Sequence, residues 1–140
     1  MILFCDTSAL VKLYVHEDGS ATVMEQAAAS EAVALCRIAW VEIISAMARR
    51  SREAPQDAPA LARARRRFAT DWPDYFTLEI TQALVELAGD YAEAFALRAY
   101  DGVQLAALMT LHREAPGDVR FACFDARLVK AAGVLGVAAG

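Results

Sequence analysis

The fold class is decided by the opening stretch MILFCDTSAL, residues 1–10. Residues 2–5 form a short apolar run typical of a buried strand, and Asp6 follows directly, without a Gly, Pro or Asn to mark a loop. A carboxylate at the end of a buried strand costs free energy unless something stabilises its charge. The position of Asp6 therefore indicates a side chain with a partner of its own.

Length and composition favour one compact domain. The chain has 140 residues, 57% of them hydrophobic, which is enough to bury a core and unlike a disordered segment. No apolar run approaches the ~18 residues needed to span a bilayer, and the N-terminus lacks the pattern of a signal peptide. The sequence therefore predicts a soluble, cytoplasmic protein without membrane contact.

The cysteines and histidines argue against soft-metal or disulfide chemistry. Cys5, Cys36 and Cys123 lie far apart in apolar surroundings, and their odd number with no Cys-x-x-Cys pair fits neither a disulfide framework nor a zinc cage. His16 and His112 are isolated as well. Free, buried thiols in a reducing compartment are expected.

Strand-like runs alternate with helical periodicity along the whole chain. The predicted strands are residues 2–5, 32–38, 76–80, 120–124 and a short edge strand at 136–139. The predicted helices are residues 8–15, 19–30, 40–52, 60–70, 82–95, 101–113 and 126–132. This alternation predicts a single α/β domain over residues 1–140, with a mostly parallel central sheet of four to five strands and helices on both faces.

A proline-containing break divides the region from residue 40 to residue 70. Pro55 and Pro59 interrupt the helical pattern, so we expect a helical hairpin that projects from the sheet. This hairpin also carries a charge imbalance. Seven Arg and two acids between Arg49 and Arg67 give a local charge of +5 in a chain of net charge −4. Such a segment either binds a polyanion or is an ordinary solvated helix face.

Four acids stand where strands give way to helices. Asp6 and Asp125 each follow a predicted strand, Glu42 lies in the first turn of a helix, and Asp101 begins another helix. The carboxyl ends of parallel strands share one edge of a sheet, where ligand sites usually form. Each acid alone is compatible with a helix N-cap. Together they favour a site for a hard divalent cation, Mg²⁺ or Mn²⁺, with oxygen ligands.

At this point the sequence resembles a known family, the PIN-domain ribonucleases, and among them the VapC toxins of bacterial toxin–antitoxin pairs. The resemblance rests on segments that occur in the family's order and cover nearly the whole chain. They are residues 1–20, Trp40-Val41-Glu42-Ile43, Leu97-Arg98-Ala99-Tyr100-Asp101-Gly102-Val103-Gln104-Leu105-Ala106 and Phe124-Asp125-Ala126-Arg127-Leu128.

The resemblance implies a catalytic and metal-binding quartet made of Asp6, Glu42, Asp101 and Asp125, which would hold Mg²⁺ or Mn²⁺ and activate water for RNA cleavage. It also implies that a hydroxyl, from Thr7 or Ser8, supports Asp6. Two positions depart from the family's pattern. Gly102 replaces a common Ala and is expected to loosen the helix start. Cys123 replaces a Thr or Ser, so that a supporting hydrogen bond is expected to be missing.

Other polar and aromatic residues leave alternatives open. Arg98, one turn before Asp101, either orients that carboxylate or a phosphate, or forms an ordinary ion pair. Gln104 either points into the same cleft or, as we favour, lies on the surface. Trp40, Trp72 and Tyr75 either stack on bases or pack in the core.

Three functions compete on the sequence alone. The leading interpretation is a metal-dependent endoribonuclease, a hydrolase of phosphodiester bonds. The alternatives are a non-catalytic PIN-like module that binds RNA or protein, and an aspartyl phosphotransferase with Asp6 as nucleophile. In the phosphotransferase, Ser8 would stand where a second acid is expected.

The resemblance also implies partners: an RNA substrate, a cognate antitoxin, and assembly as a homodimer or a toxin–antitoxin hetero-oligomer. We expect Arg49, Arg50, Arg65 and Arg66 to contact RNA or the acids of the antitoxin. The apolar residues of the hairpin exceed what its two helices need to cover each other, so we expect the surplus to bind that partner. These residues are Ile43, Ile44, Met47, Leu61 and Phe68.

Overall fold

The structure, a computed structural model, describes every residue from Met1 to Gly140. Four strands form one sheet in the order β3-β2-β1-β4, and every neighbouring pair is parallel. The strands are β1 (Ile2–Cys5), β2 (Ala32–Cys36), β3 (Phe76–Leu78) and β4 (Val119–Ala122). The first strand of the sequence therefore lies inside the sheet, between β2 and β4.

Seven α-helices connect and cover the strands. They are α1 (Thr7–Leu10), α2 (Ser20–Ala28), α3 (Ala39–Glu53), α4 (Ala58–Asp71), α5 (Gln82–Phe95), α6 (Ala99–Glu114) and α7 (Ala126–Val134). Short 3₁₀ turns extend α1 at Val11–Leu13, join α3 to α4 at Pro55–Asp57 and follow α4 at Trp72–Asp74. None of the helices is long and apolar enough to cross a membrane.

The two faces of the sheet support two separate cores because successive side chains of a strand point to opposite sides. Leu3 and Cys5 of β1 pack on one face with residues of α1 to α4. Phe4 of the same strand packs on the other face with residues of α5, α6 and α7. The predicted parallel sheet with helices on both faces is confirmed.

Several predicted boundaries were too long at the carboxyl ends of strands. β2 ends at Cys36, β3 at Leu78 and β4 at Ala122, each two residues earlier than predicted. The predicted edge strand at 136–139 is reduced to one parallel bridge between Phe121 and Ala139. The residues beyond each strand end turn toward the following helix, and this frees them to form the edge where the acids lie.

The hairpin prediction needs one correction. Its apolar side chains are not surplus, since Ile43, Met47, Leu61 and Phe68 are all buried in the core on the α1–α4 face. Only Ile44 of the predicted set is partly buried at its margin. The apolar side chains of the hairpin helices pack against the sheet as well as against each other. They are therefore not left over for a partner, and they give no support for a partner surface.

The aromatic side chains at the base of the hairpin pack against one another. Trp40 stacks on Phe68, with ring centroids 5.3 Å apart, and meets Trp72 edge-on at 5.2 Å. Trp72 continues the cluster to Tyr75 at 6.5 Å. The Tyr75 hydroxyl hydrogen-bonds to that of Tyr14. Trp72 and Tyr75 therefore pack against the core, whereas Trp40 packs on Phe68 and Trp72 and stays 38% exposed.

Candidate active site

Asp6 is a buried carboxylate held by three donors. It caps α1 directly after β1, and only 4% of the residue is exposed. Its Oδ1 accepts hydrogen bonds from the Ser8 hydroxyl at 2.7 Å and the Ala9 N–H at 3.1 Å, and its Oδ2 accepts one from the Cys123 thiol at 3.0 Å. Burial raises the pKa of Asp6 to about 6, against the opposing effect of these hydrogen bonds, and the charge of Glu42 adds to the rise.

The hydrogen bonds around Asp6 differ from expectation at Cys123 and agree with it at Ser8. The Cys123 thiol supplies the hydrogen bond that its replacement of Thr or Ser was expected to remove. Of the two candidate hydroxyls, Ser8 supports Asp6, while Thr7 donates instead to Glu42 Oε1 at 2.8 Å. The two neighbouring hydroxyls thus orient two different carboxylates.

Glu42 lies half-buried in the first turn of α3 and is fixed by one oxygen. Its Oε1 accepts hydrogen bonds from Thr7 and, at 2.8 Å, from Gln104 Nε2. Burial raises the pKa of Glu42, and the charge of Asp101 adds to the rise, while these two hydrogen bonds lower it.

Gln104 is a site residue that our preferred sequence interpretation placed wrongly on the surface. It is only 2% exposed, it lies one turn after Asp101 on α6, and its amide bridges Thr7 and Glu42. Its own Oε1 is buried without a hydrogen-bond partner. The signal was present in the sequence: α6 is apolar on both sides of position 104, so a polar residue there had to be buried.

Asp101 and Asp125 complete the acidic set from two other helices. Asp101 lies in the first turn of α6, where burial raises its pKa and the charge of Asp125 adds to the rise, partly offset by Arg98 and Arg127. Asp125 caps α7, and its Oδ1 accepts hydrogen bonds from the backbone N–H groups of Arg127 at 2.9 Å and Leu128 at 3.2 Å.

Gly102 allows a close contact between helices at the start of α6. A Cβ at this position would lie 2.8 Å from the backbone oxygen of Ala88 and 3.4 Å from the Ala92 side chain, both on α5. The glycine therefore allows α5 and α6 to pack closely, one residue after Asp101. The loosening of the helix start stays a prediction; what the structure adds is that the missing methyl group lets the neighbouring helix approach.

Three of the acids line one open cavity of about 430 Å³. Glu42, Asp101 and Asp125 share it with Arg98 and Tyr100. The charges of these acids also reach one another: Glu42 raises the pKa of Asp6, Asp101 raises that of Glu42, and Asp125 raises that of Asp101.

The oxygen atoms that line this cavity suit a hard cation, but the acidic side chains stand too far apart to bind one together. Carboxylate oxygens are the ligands that Mg²⁺ and Mn²⁺ prefer. No grouping of three or more His, Cys, Asp or Glu side chains could hold a metal ion as the side chains stand. The acids therefore share a cavity without forming a closed coordination shell.

The arginines named from the sequence are spread over several surfaces. Arg49 lines a second cavity beside the acids, together with Thr7, Glu42 and Tyr100. Arg50 forms an ion pair with Glu17 at 2.7 Å.

The other two hairpin arginines lie away from the acids. Arg65 lines a small groove between α3 and α4, and Arg66 is exposed on α4. Arg127 was not singled out from the sequence, although it stands two residues after Asp125 and influences Asp101.

Comparison with known families agrees with this fold. Residues 3–134 match the family model described as the PIN domain. The chain belongs to the PIN-domain family. This PIN domain is 32% identical to "Ribonuclease VapC45" of Mycobacterium tuberculosis (strain CDC 1551 / Oshkosh) over 114 residues, which cover 79% of this chain and 76% of the relative. The resemblance to VapC-type PIN domains is thereby confirmed.

Two solved structures share the fold of this PIN domain at low sequence identity. Mycobacterium tuberculosis VapC20, titled a "Sarcin-Ricin loop cleaving toxin", superposes with a TM-score of 0.65 at 16% identity and covers 96% of this chain and 95% of its own. A chain of the "Toxin-antitoxin complex from Klebsiella pneumoniae" gives a TM-score of 0.62 at 18% identity, with 89% and 87% covered.

Proposed function

We propose that this PIN domain is a metal-dependent endoribonuclease and the toxin of a toxin–antitoxin pair. The observation that carries the proposal is that free carboxylate oxygens share one cavity with the free guanidinium group of Arg98. Glu42 and Asp125 each use one oxygen for protein hydrogen bonds and keep the other free, and Asp101 keeps both free. Arg98 in this cavity forms no ion pair, and neither does Arg127, whose charge reaches Asp101.

The acids would hold Mg²⁺ or Mn²⁺ through these free oxygens. Glu42, Asp101 and Asp125 face one cavity, and Asp6 lies next to Glu42 in the same acidic set. A bound divalent ion supplies a Lewis acid and a water of lowered pKa, which suits hydrolysis of a phosphodiester. The raised pKa values of Asp6, Glu42 and Asp101 support a cation site, because a positive charge would relieve both burial and mutual repulsion.

The protein's own groups would orient the reaction. Thr7 and Gln104 fix the direction of Glu42, and Ser8 and Cys123 fix Asp6, so that these carboxylates need little reordering when substrate binds. Arg98 and Arg127 would contact phosphate oxygens of the RNA, and their planar guanidinium groups can bind such oxygens by two hydrogen bonds.

The names of the relatives agree with this chemistry. One curated relative is a ribonuclease, one structural neighbour is a toxin that cleaves the sarcin–ricin loop, and another belongs to a toxin–antitoxin complex. The phosphotransferase alternative has less support because Asp6, its nucleophile, is buried and both of its oxygens accept hydrogen bonds from the protein.

Cleavage of total RNA with added Mg²⁺, with added Mn²⁺ and with EDTA tests the proposal. We expect cleavage with either ion, none in EDTA, and none for Asp101→Asn. Asp90→Asn, an exposed acid on α5 outside the cavity, is the matched control and should cleave like the parent. Cleavage that persists in EDTA or in Asp101→Asn would overturn the metal-dependent mechanism. A parent that binds RNA without cleaving it would favour the non-catalytic module.

The hairpin arginines would contribute to partner binding. Arg65 borders the groove between α3 and α4, which is lined mainly by apolar side chains, and Arg66 is exposed beside it. A short frame next to this gene that encodes a DNA-binding protein would identify the antitoxin. The double charge reversal Arg65→Glu, Arg66→Glu should weaken that complex and reduce the salt dependence of RNA binding. The matched control is Arg113→Glu, Arg120→Glu. If both doubles behave as the parent, Arg65 and Arg66 form a solvated helix face.

A further inference from the structure

Phe124 is an exposed aromatic side chain next to the acidic site. The three aromatic residues that the sequence singled out for base stacking pack against one another elsewhere. Phe124 directly precedes Asp125, and it is 49% exposed. An exposed ring of this size beside a charged site calls for a physical explanation, because burying it would gain free energy.

One side of the Phe124 ring is covered by fixed groups. The Lys12 ammonium lies 4.5 Å from the ring centroid. That ammonium is itself held by the Glu17 carboxylate at 3.0 Å and by the Asp18 backbone oxygen at 2.7 Å. Because these contacts come from the protein, the cation–π interaction fixes the ring and leaves its remaining surface open to a ligand.

Gly19 brings the backbone against the same ring. A Cβ at position 19 would lie 2.8 Å from the ring, and the φ of Gly19, +91°, lies in the region that favours glycine. The ring is therefore supported by the chain from Lys12 to Gly19 and is not a loose surface side chain.

The backbone of Phe124 is tied to the hydrogen-bond network of Asp6. The Phe124 N–H donates to Ser8 Oγ at 2.9 Å, and the Ser8 hydroxyl donates to Asp6 Oδ1 at 2.7 Å. One hydroxyl thus sets the position of both the ring and the buried carboxylate. The ring stands in a fixed relation to the acids that would act on the substrate.

We propose that Phe124 is a specificity-determining residue whose open face stacks on an unpaired base of the RNA beside the phosphate to be cleaved. The inference rests on the proposed ribonuclease function and adds a preference for RNA whose bases are unpaired at the cleavage point. A flat ring stacks on any unpaired base, whereas a base within a duplex has no free face.

The surroundings of Phe124 favour a base over a protein segment. The Lys12 ammonium lies over the ring, and two further charged residues, Asp125 and Arg127, follow it closely in the chain. An amphipathic helix of a partner would need several apolar contacts in a row. A nucleotide needs one flat contact with a cation nearby for its phosphate, and Arg127 forms no ion pair within the protein.

The test uses the full-length protein and hairpin RNAs that carry a single 2-aminopurine, either in the loop or in the stem. Binding is measured in EDTA so that cleavage does not interfere. We expect the parent to quench the fluorescence of the loop probe and not that of the stem probe. Phe124→Leu should abolish this quench and weaken binding about tenfold, the range of one stacked base. Phe124→Trp should restore both.

A matched control and a salt series complete the design. Phe76 is 51% exposed and begins β3, the outer strand on the far side of the sheet from β4. Phe76→Leu should therefore behave as the parent. Phe124→Leu should leave the salt dependence of binding unchanged, while Arg127→Gln should reduce its slope by about one unit.

The outcomes separate this inference from the proposed function. If the parent cleaves RNA and Phe124→Leu binds and quenches as the parent does, the ring serves another contact, such as one to a protein, and the inference fails alone. Equal quenching of stem and loop probes by the parent would also overturn it. A parent that neither binds nor cleaves RNA would overturn the proposed function, and this inference with it.

Discussion

Acids at the two ends of the parallel strands have opposite surroundings. We call the end where the strands begin the amino edge of the sheet, and the end where they finish the carboxyl edge. At the amino edge, the charged N-terminus of Met1 lies 3.1 Å from the Glu31 carboxylate and 3.2 Å from that of Asp118, and both acids are exposed. At the carboxyl edge, four acids lie near one another, and none of them forms an ion pair within the protein. These are Asp6, Glu42, Asp101 and Asp125.

The difference shows at which edge the charged acids lower the stability of the folded protein. At the amino edge, charges are compensated and solvated, so the acids cost little. At the carboxyl edge, burial raises the pKa of Asp6, Glu42 and Asp101, so the charged state of each is disfavoured. Acids whose pKa values are shifted by their surroundings, and which lie close together, are typical of functional sites.

The largest expected effect on RNA cleavage comes from comparing two variants, each of which replaces the acid at one end of β4. Asp118 immediately precedes β4, and Asp125 follows it at the other edge. Asp125→Asn should lower the rate of RNA cleavage on the order of 10³-fold or more, because it removes a carboxylate of the proposed metal site. Asp118→Asn should cleave at the parent rate. Equal losses in the two variants would show that the edges do not differ in function.

The next effect is a pH dependence of stability that belongs to Asp6. Its pKa is raised to about 6 in the folded protein, from an ordinary value of 3.8. As the pH rises between these values, the unfolded state loses its proton first, so the unfolding free energy falls.

The expected fall is on the order of 3 kcal/mol, followed by a plateau above the folded pKa. Denaturant unfolding in EDTA across this pH range measures it. Asp6→Asn should remove most of the slope and be at least as stable as the parent at neutral pH, whereas Asp118→Asn should keep the slope. Marked destabilisation of Asp6→Asn would instead indicate that Asp6 serves mainly as a structural cap.

A smaller effect is expected from the residue that positions Glu42. Gln104→Leu removes one of the two hydrogen bonds to Glu42 Oε1. Loss of a group that orients a metal ligand typically costs 10–100-fold in metal affinity or activity. We expect the Mg²⁺ concentration for half-maximal cleavage to rise by about tenfold while the circular dichroism spectrum stays unchanged. Gln82→Leu, at an exposed position on α5, is the control.

The smallest effect concerns the amino edge itself. Glu31→Gln removes one of the two ion pairs of Met1. Because the carboxylate is exposed and screened by solvent, we expect no measurable change in cleavage and a melting temperature close to that of the parent. Any small difference in melting temperature between the variant and the parent should vanish at high salt. A large loss of stability would contradict the contrast between the edges.

The fold followed from sequence wherever local pattern and packing agree. The apolar runs before Asp6 and before Asp125 predicted two strands of a parallel sheet, because a strand that is buried on both faces reads as a continuous apolar segment. That these two strands are neighbours was learned from the structure. The predicted helix at residues 82–95 is α5, and the Thr81 hydroxyl fixes its start by accepting a hydrogen bond from the Leu84 N–H. The strand ends were less predictable because where pairing stops depends on the neighbouring strands.

The arrangement of the site depended on contacts between distant residues. The sequence placed four acids at one edge, but it did not reveal that Cys123 would donate to Asp6, 117 positions earlier. It also gave no sign that Gly102 would meet the backbone of Ala88. Such contacts are set by how two helices or strands approach each other, which one-dimensional patterns do not encode.

The position of β1 inside the sheet has a consequence for synthesis of the chain. β1 is made first, yet one of its two neighbours is β4, in a register that sets Phe4 beside Phe121. Contacts over so long a separation form late in folding because a large loop must close first. The acidic cavity also needs Asp125, so it cannot assemble until the segment that follows β4 has left the ribosome. A nascent chain that stops short of Asp125 therefore carries no complete set of acids.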